Sequence, residues 1–290
     1  MPLTTHHLSP AKINWFLHVL SRQSDGYHAL ETVSQRIDWC DELDITVNFE
    51  GDIVLTGDLC GVPESHNLAY RAALALRDSA QNDRLGAHIH LVKHIPTGAG
   101  LGGGSSNAAT VLTALNEAWQ LGLNVADLLA IARPLGADVP FFVSGYAAAF
   151  AQGIGEVLQP LALPARELLI VNPSVHINTA AVFTHADLPR QHAPLGLSLA
   201  QLQTQLSAQA IHPEYSNDLE SVTFALAAQV KAAHDALATL APTRMSGSGA
   251  SMMACPENET QRQQLADWTA QCPAHWQWRW VRTLTDVGVP

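Results

Sequence analysis

The stretch Pro96-Thr97-Gly98-Ala99-Gly100-Leu101-Gly102-Gly103-Gly104-Ser105-Ser106-Asn107 limits this chain more than any other, because five of the seven residues from 98 to 104 are glycine. His88 to Ile95 before it reads as β-rich, and an apolar helical pattern with Ala108, Val111, Leu112, Leu115 and Trp119 follows. Glycines between a strand and a helix let the backbone adopt positive φ and approach a ligand closely. Successive N–H groups then form a nest, and the helix aims its positive end at the same point. A phosphate suits such a place. A flexible linker would not be flanked so closely by a strand and an apolar helix, nor carry Leu101 within it.

Two other phosphate motifs fit less well. Gly98 to Gly103 matches G-x-G-x-x-G, but the dinucleotide fold also wants an acid closing a second strand about 20 residues on. The nearest acid, Glu117, sits inside the helical run. No Gly-Lys-Ser/Thr occurs here, which excludes a P-loop. The net charge of −11 leaves an anionic ligand to local dipoles and a few cations, and it gives no support for nucleic-acid or anionic-membrane partners. With 290 residues, 47% apolar and 14% charged, the chain reads as globular, of one large or two ordinary domains. Cys40, Cys60, Cys255 and Cys272 lack C-x-x-C spacing, and no secretory signal is evident, so reduced thiols and a cytoplasmic location are expected.

Candidate chemistry is scattered along the chain. Ser9 to Leu20 alternates as a strand, which puts Lys12 and Asn14 on one face. Lys12 is then either a solvated strand end or a functional cation. Asp25-Gly26-Tyr27-His28 reads as a turn whose aromatic ring either packs or stacks on a base, with an imidazole able to meet a base edge. Asn67 reads as an N-cap, and Lys93 as either an edge residue or one aimed at a nucleotide. Ser105 and Ser106 can cap the helix they open, touch phosphate, or do both. His88 and His90 could ligate a metal, but no third ligand is in view, and no metal-binding residues are assigned. Asp138 lies between Gly136 and Pro140 among apolar neighbours, either as a turn cap or as a carboxylate held for chemistry. Near Gly153 the chain leaves its first domain. Further on, a helix begins after Thr179 and carries Phe183, another opens at Asn217 with Glu220 as a capping-box acid and runs to about Leu240, and Arg244 to Ser251 forms a second small-residue loop. Trp276, Trp278 and Trp280 alternate along one strand face.

Pro-x-Gly-x-Gly-Leu-Gly-Gly-Gly-Ser-Ser-Asn-Ala resembles the phosphate loop of the GHMP kinase superfamily. Pro10-Ala11-Lys12-Ile13-Asn14 is similar to that family's first motif and the 244–251 loop to its third. The Asp-Gly-Tyr-His run resembles the diphosphocytidyl branch in particular. The resemblance covers nearly the whole chain. It implies an α+β fold of two domains, residues 1–153 of the ribosomal protein S5 type and residues 154–290 ferredoxin-like, with the substrate cleft between them. It further implies a kinase that uses ATP and Mg²⁺ on the 2-hydroxyl of the small molecule 4-diphosphocytidyl-2-C-methyl-D-erythritol, in isoprenoid precursor synthesis. By the same resemblance, Lys12 and Asp138 are catalytic. Residues 96–106, Asn67 and Lys93 hold the nucleotide, while Asn14, Tyr27, His28, Thr179 and Phe183 hold the substrate. A monomer or homodimer is expected. Another GHMP kinase, a dinucleotide-dependent oxidoreductase and a non-catalytic nucleotide-binding module are the alternatives.

Overall fold

A computed structural model describes residues 4–24 and 26–286. Asp25, the first residue of the Asp-Gly-Tyr-His run, lies outside the described residues. Strands β1 (Thr4–Arg22) and β2 (His28–Asn48) pair antiparallel along almost their whole lengths. The second edge of β2 is shared: β5 (Ala148–Gly153) pairs with residues 30–35, and β4 (Gly86–Val92) with residues 42–48. With β3 (Ile53–Gly57) beside β4 and β6 (Val157–Pro160) beside β5, these strands form one six-stranded sheet.

Four helices pack on this sheet: α1 (Leu68–Ala80), α2 (Gly103–Ala118), α3 (Val125–Ala132) and α4 (Val139–Val143). The apolar stripe foreseen on α2 is buried there, through Ala108, Val111, Leu112, Leu115 and Trp119. The helix starts at Gly103, two residues before Ser105. Glycine at N1 and N2 brings bare backbone, rather than side chains, to the helix mouth.

The second sheet runs β10 (Gln277–Arg282), β7 (Glu167–Asn172), β9 (Met252–Ala254), β8 (Thr243–Met245). Around it lie α5 (Thr179–Thr184), α6 (Leu199–Ala208), α7 (Glu220–Leu226), α8 (Ala228–Ala238) and α9 (Glu259–Thr269). The fold is α+β. Strand β1 is buried on both faces from Ser9 to Val19 because its far side packs against this second half. Leu17 N–H donates to Ser216 O at 3.0 Å and Asp218 N–H to Leu17 O at 2.9 Å, which fastens β1 to the C-terminal half.

Three local expectations change. The helix foreseen from Asn217 to Leu240 is broken at Ala227, whose backbone is extended (φ −142°, ψ 92°). Glu220 is no capping-box acid: its carboxylate accepts the N–H of Met245 at 2.7 Å. Trp276 falls before β10 and lies against Trp268, while Trp280 sits under Arg262. No helix among the described residues is long and apolar enough to cross a membrane.

The seam between β1 and the C-terminal half carries a titratable weakness. His18 is fully buried, stacks on His192 with ring centroids 3.6 Å apart, and leaves Nδ1 without a partner. Burial first, then the His192 ring and Arg244, push its pKa down to about 4, against the pull of Asp218. A group that binds protons less well folded than unfolded costs stability as pH falls through its unfolded pKa, about 6.5 for His. The loss therefore grows from about pH 6.5 and levels off near pH 4, reaching about 3 kcal/mol. Urea midpoints from pH 7.5 to 5 should fall less steeply for His18→Gln, which keeps an acceptor for the Ser216 N–H but cannot take a proton. Parallel slopes would contradict this account.

Candidate active site

The glycine loop, β1 and the start of α4 converge on a cleft of about 550 Å³. From the loop, Pro96 to Gly100 and Gly102 to Ser105 line it. No side chain caps α2, so the N–H groups of its first turn are left to whatever the cleft holds. Gly102 must be bare. It has φ +69°, and a Cβ there would lie 3.1 Å from Lys12 Cγ and 3.0 Å from Phe142 Cε2. Leu101 is turned into the core and offers its carbonyl to Lys12 N–H at 2.9 Å. Ser106 is buried away from the cleft, and its hydroxyl accepts from Ser9 at 2.8 Å. These two are the loop positions the fold does not bring to the cleft.

Lys12 and Asn14 share a face of β1, as the period of two requires. Lys12 Nζ donates to Asn14 Oδ1 at 2.5 Å and lies 3.5 Å from Asp138 Oδ2. The amine is almost wholly buried while the carboxylate is 44% exposed, so the pair sits at the cleft wall with the acid toward the opening. Asp138 occupies the N-cap position of α4, yet its side chain makes no capping hydrogen bond. Asn14 is held in turn by its Nδ2, which donates to Thr32 Oγ1 at 2.9 Å and Ser34 Oγ at 3.1 Å.

Several supports were not foreseen from sequence. Arg36, buried on β2, donates to the carbonyls of Phe141, Phe142 and Tyr146 and lies over both phenylalanine rings. It therefore fixes the C-terminal end of the helix whose other end bears Asp138. Burial pulls its pKa down to about 10, so it stays charged at neutral pH. Fully buried Asp41 accepts the N–H groups of His94 and Ile95, each at 2.8 Å, and pairs with Lys93. That carboxylate pins the exit of β4 just ahead of the loop. Lys93 lines the cleft, but its amine is engaged by Asp41 and Asn107. Asn67 also lines it, and caps α1 by accepting from Ala69 N–H at 3.0 Å.

The 244–251 loop packs directly on the glycine loop. Ser246 Oγ donates to Gly100 O at 2.9 Å and accepts from Asn14 N–H at 3.2 Å, and Ser251 N–H donates to Ala99 O at 3.1 Å. Asn217 Nδ2 donates to the carbonyls of Met245 and Gly247. Thr179 and Phe183 line the cleft, and Thr179 Oγ1 is 2.8 Å from Ser248 Oγ. Tyr27 and His28 lie beyond the cleft lining. Tyr27 is 60% exposed, whereas His28 is buried with its ring centroid 5.3 Å from that of Phe183. Among the described residues no cluster of three His, Cys, Asp or Glu side chains could hold a metal, and His88 and His90 form none.

A profile described as "GHMP kinases N terminal domain" matches residues 67–146. A protein of Paraburkholderia xenovorans named 4-diphosphocytidyl-2-C-methyl-D-erythritol kinase is 43% identical, with 93% of this chain and 90% of that protein covered. A protein of the same name from Burkholderia mallei has the same identity and coverage. A crystal structure of 4-(cytidine 5'-diphospho)-2C-methyl-D-erythritol kinase superposes with a TM-score of 0.79 at 34% identity, over 96% of this chain and 99% of that one. A homoserine kinase structure from Cytophaga hutchinsonii, at 18% identity and a TM-score of 0.66, shares the fold.

Proposed function

The chain belongs to the 4-diphosphocytidyl-2-C-methyl-D-erythritol kinases of the GHMP kinase superfamily, and from that premise we propose that Lys12 and Asp138 carry its phosphoryl transfer. It is a phosphotransferase with an alcohol acceptor. The acceptor is the 2-hydroxyl of 4-diphosphocytidyl-2-C-methyl-D-erythritol, and the donor is the γ-phosphoryl of ATP. One observation supports this most: the Lys12–Asp138 pair shares a cleft with the uncapped first turn of α2.

Phosphoryl transfer asks mainly for alignment and charge stabilisation. The N–H groups of residues 98–100 and 102–105 face the anionic phosphates. Asp138 accepts the proton of the attacking hydroxyl, and Lys12 stabilises the charge that develops as the phosphoryl group moves. Asn14 holds the lysine amine in place. Magnesium is expected with the nucleotide. The cleft offers the Ser105 hydroxyl as an oxygen donor, which suits an ion held mainly by substrate phosphates and water. When bound, the ion neutralises phosphate charge. The nucleoside end of ATP is assigned to the wall formed by Leu59, Val62, Asn67 and Leu68. A cytoplasmic location fits the free state of all four cysteines.

Cytosine is assigned to Tyr27, His28 and Phe183. His28→Ala should raise the KM for the cytidyl substrate about tenfold, as expected for one lost hydrogen bond, and leave that for ATP nearly unchanged. An equal rise for both would remove His28 from base reading. ADP release with the cytidyl substrate, mevalonate and homoserine tests the whole assignment: release should depend on the cytidyl substrate alone.

A further inference from the structure

Arg190 is bound on every nitrogen. Nη2 donates to Phe183 O at 2.9 Å and His185 O at 2.6 Å, Nη1 to Leu188 O at 3.2 Å, and Nε to His28 Nε2 at 3.2 Å. The guanidinium thus ties the C-terminal end of α5, which carries Phe183, to the imidazole of the Tyr27-His28 pair.

A guanidinium only donates and does not lose its proton in proteins. The imidazole nitrogen it meets must therefore present a lone pair. In a neutral imidazole the proton then sits on the other nitrogen, Nδ1. Burial first, then Arg190 and Arg22, hold the His28 pKa below its usual value, so the neutral ring persists to lower pH. Among the described residues Nδ1 has no hydrogen-bond partner. The buried, unpartnered side-chain polar atoms among the described residues are His18 Nδ1, Trp39 Nε1 and Arg77 Nε. His28 Nδ1 is not one of these. The edge of His28 that Arg190 leaves is a donor.

We propose that Arg190 is a specificity-determining residue: by fixing the His28 tautomer it presents Nδ1–H to the base and selects a pyrimidine with a ring acceptor over one with a ring N–H. This rests on the assignment of cytosine to Tyr27, His28 and Phe183. Cytosine offers acceptors at N3 and O2, whereas uracil carries a hydrogen on N3. A donor facing N3 accepts the first base and meets a second donor in the other, and such mismatches discriminate strongly.

Steady-state kinetics with the cytidyl substrate and its uridyl analogue, from pH 8 to 6, test this on wild type, Arg190→Met, Arg190→Lys and His28→Ala. Wild type should prefer the cytidyl substrate with a KM that is flat in pH. Arg190→Met should lose about tenfold of the preference at pH 8, where the neutral ring is free to take either tautomer, and keep its KM for ATP; its cytidyl KM should not climb toward pH 6, because a protonated His28 still donates from Nδ1. Arg190→Lys, which keeps a donor, should recover part of the preference. If Arg190→Met keeps full preference at pH 8 while His28→Ala loses affinity, Arg190 has no such role. If His28→Ala also leaves the cytidyl KM unchanged, the cytosine assignment falls first. Histidine ¹⁵N NMR on the wild-type enzyme needs no variant: the His28 proton should be on Nδ1, and a proton on Nε2 overturns the proposal.

Discussion

Asp138→Asn should lower kcat by a factor of about 10² to 10⁴ and leave the fold intact. The side chain makes no capping hydrogen bond to α4 and is half exposed, so its charge contributes little to holding that helix. The substitution keeps the size of the group and removes its ability to take a proton. Lys12 loses a charge partner but still donates to Asn14 Oδ1. The KM for ATP should therefore change little, because nucleotide phosphates are assigned to backbone N–H groups elsewhere in the cleft. A coupled ADP-release assay with a parallel thermal melt separates these effects. Near-normal turnover would remove Asp138 as the base.

Gly100→Ala should damage the protein in a different way. Gly100 has φ +74°, which costs an L residue roughly 1–2 kcal/mol. Its added Cβ would also lie 2.1 Å from Ser246 O, a backbone atom that cannot turn aside. The two loops must then separate, breaking the bond from Ser246 Oγ to Gly100 O and disturbing the one from Ser251 N–H to Ala99 O. We expect a Tm lower by several degrees, in line with a cost of a few kcal/mol, and a KM for ATP at least about tenfold higher. Gly104→Ala is the control: its Cβ meets only Leu68 Cδ1, at 3.8 Å, in helical backbone. If the two variants melt alike, the close docking of the loops has been misjudged.

Much of the site could be read from sequence because local rules govern it. Strand, glycines and helix in that order place the loop. The period of two places Lys12 beside Asn14. The pairing of Lys12 with Asp138, 126 positions apart in the chain, came from family resemblance and not from spacing. The unforeseen residues are those whose work depends on tertiary contacts. Arg36 and Arg190 each bind carbonyls at the end of a short helix, and no sequence signal marks which carbonyls an arginine will reach. Asp41 sits at an ordinary-looking strand position, yet holds the exit of another strand. A missed signal did exist for Thr32 and Ser34: polar residues two apart on a strand share a face, and that face meets Asn14. Asn217 and Glu220 look like a capping box, but only Asn217 Oδ1 stays local, accepting from Leu219 N–H; its Nδ2 and the Glu220 carboxylate reach the backbone of the 244–251 loop.

The central claim is that this cleft places a phosphoryl group on one particular hydroxyl. Phosphorus NMR of a reaction holding the enzyme, ATP, Mg²⁺ and 4-diphosphocytidyl-2-C-methyl-D-erythritol tests it most directly. A new phosphomonoester resonance, coupled to the carbon bearing the 2-hydroxyl and matched one-for-one by ADP, is the expected result. ADP that accumulates without that resonance, or at the same rate when the cytidyl substrate is omitted, would contradict it.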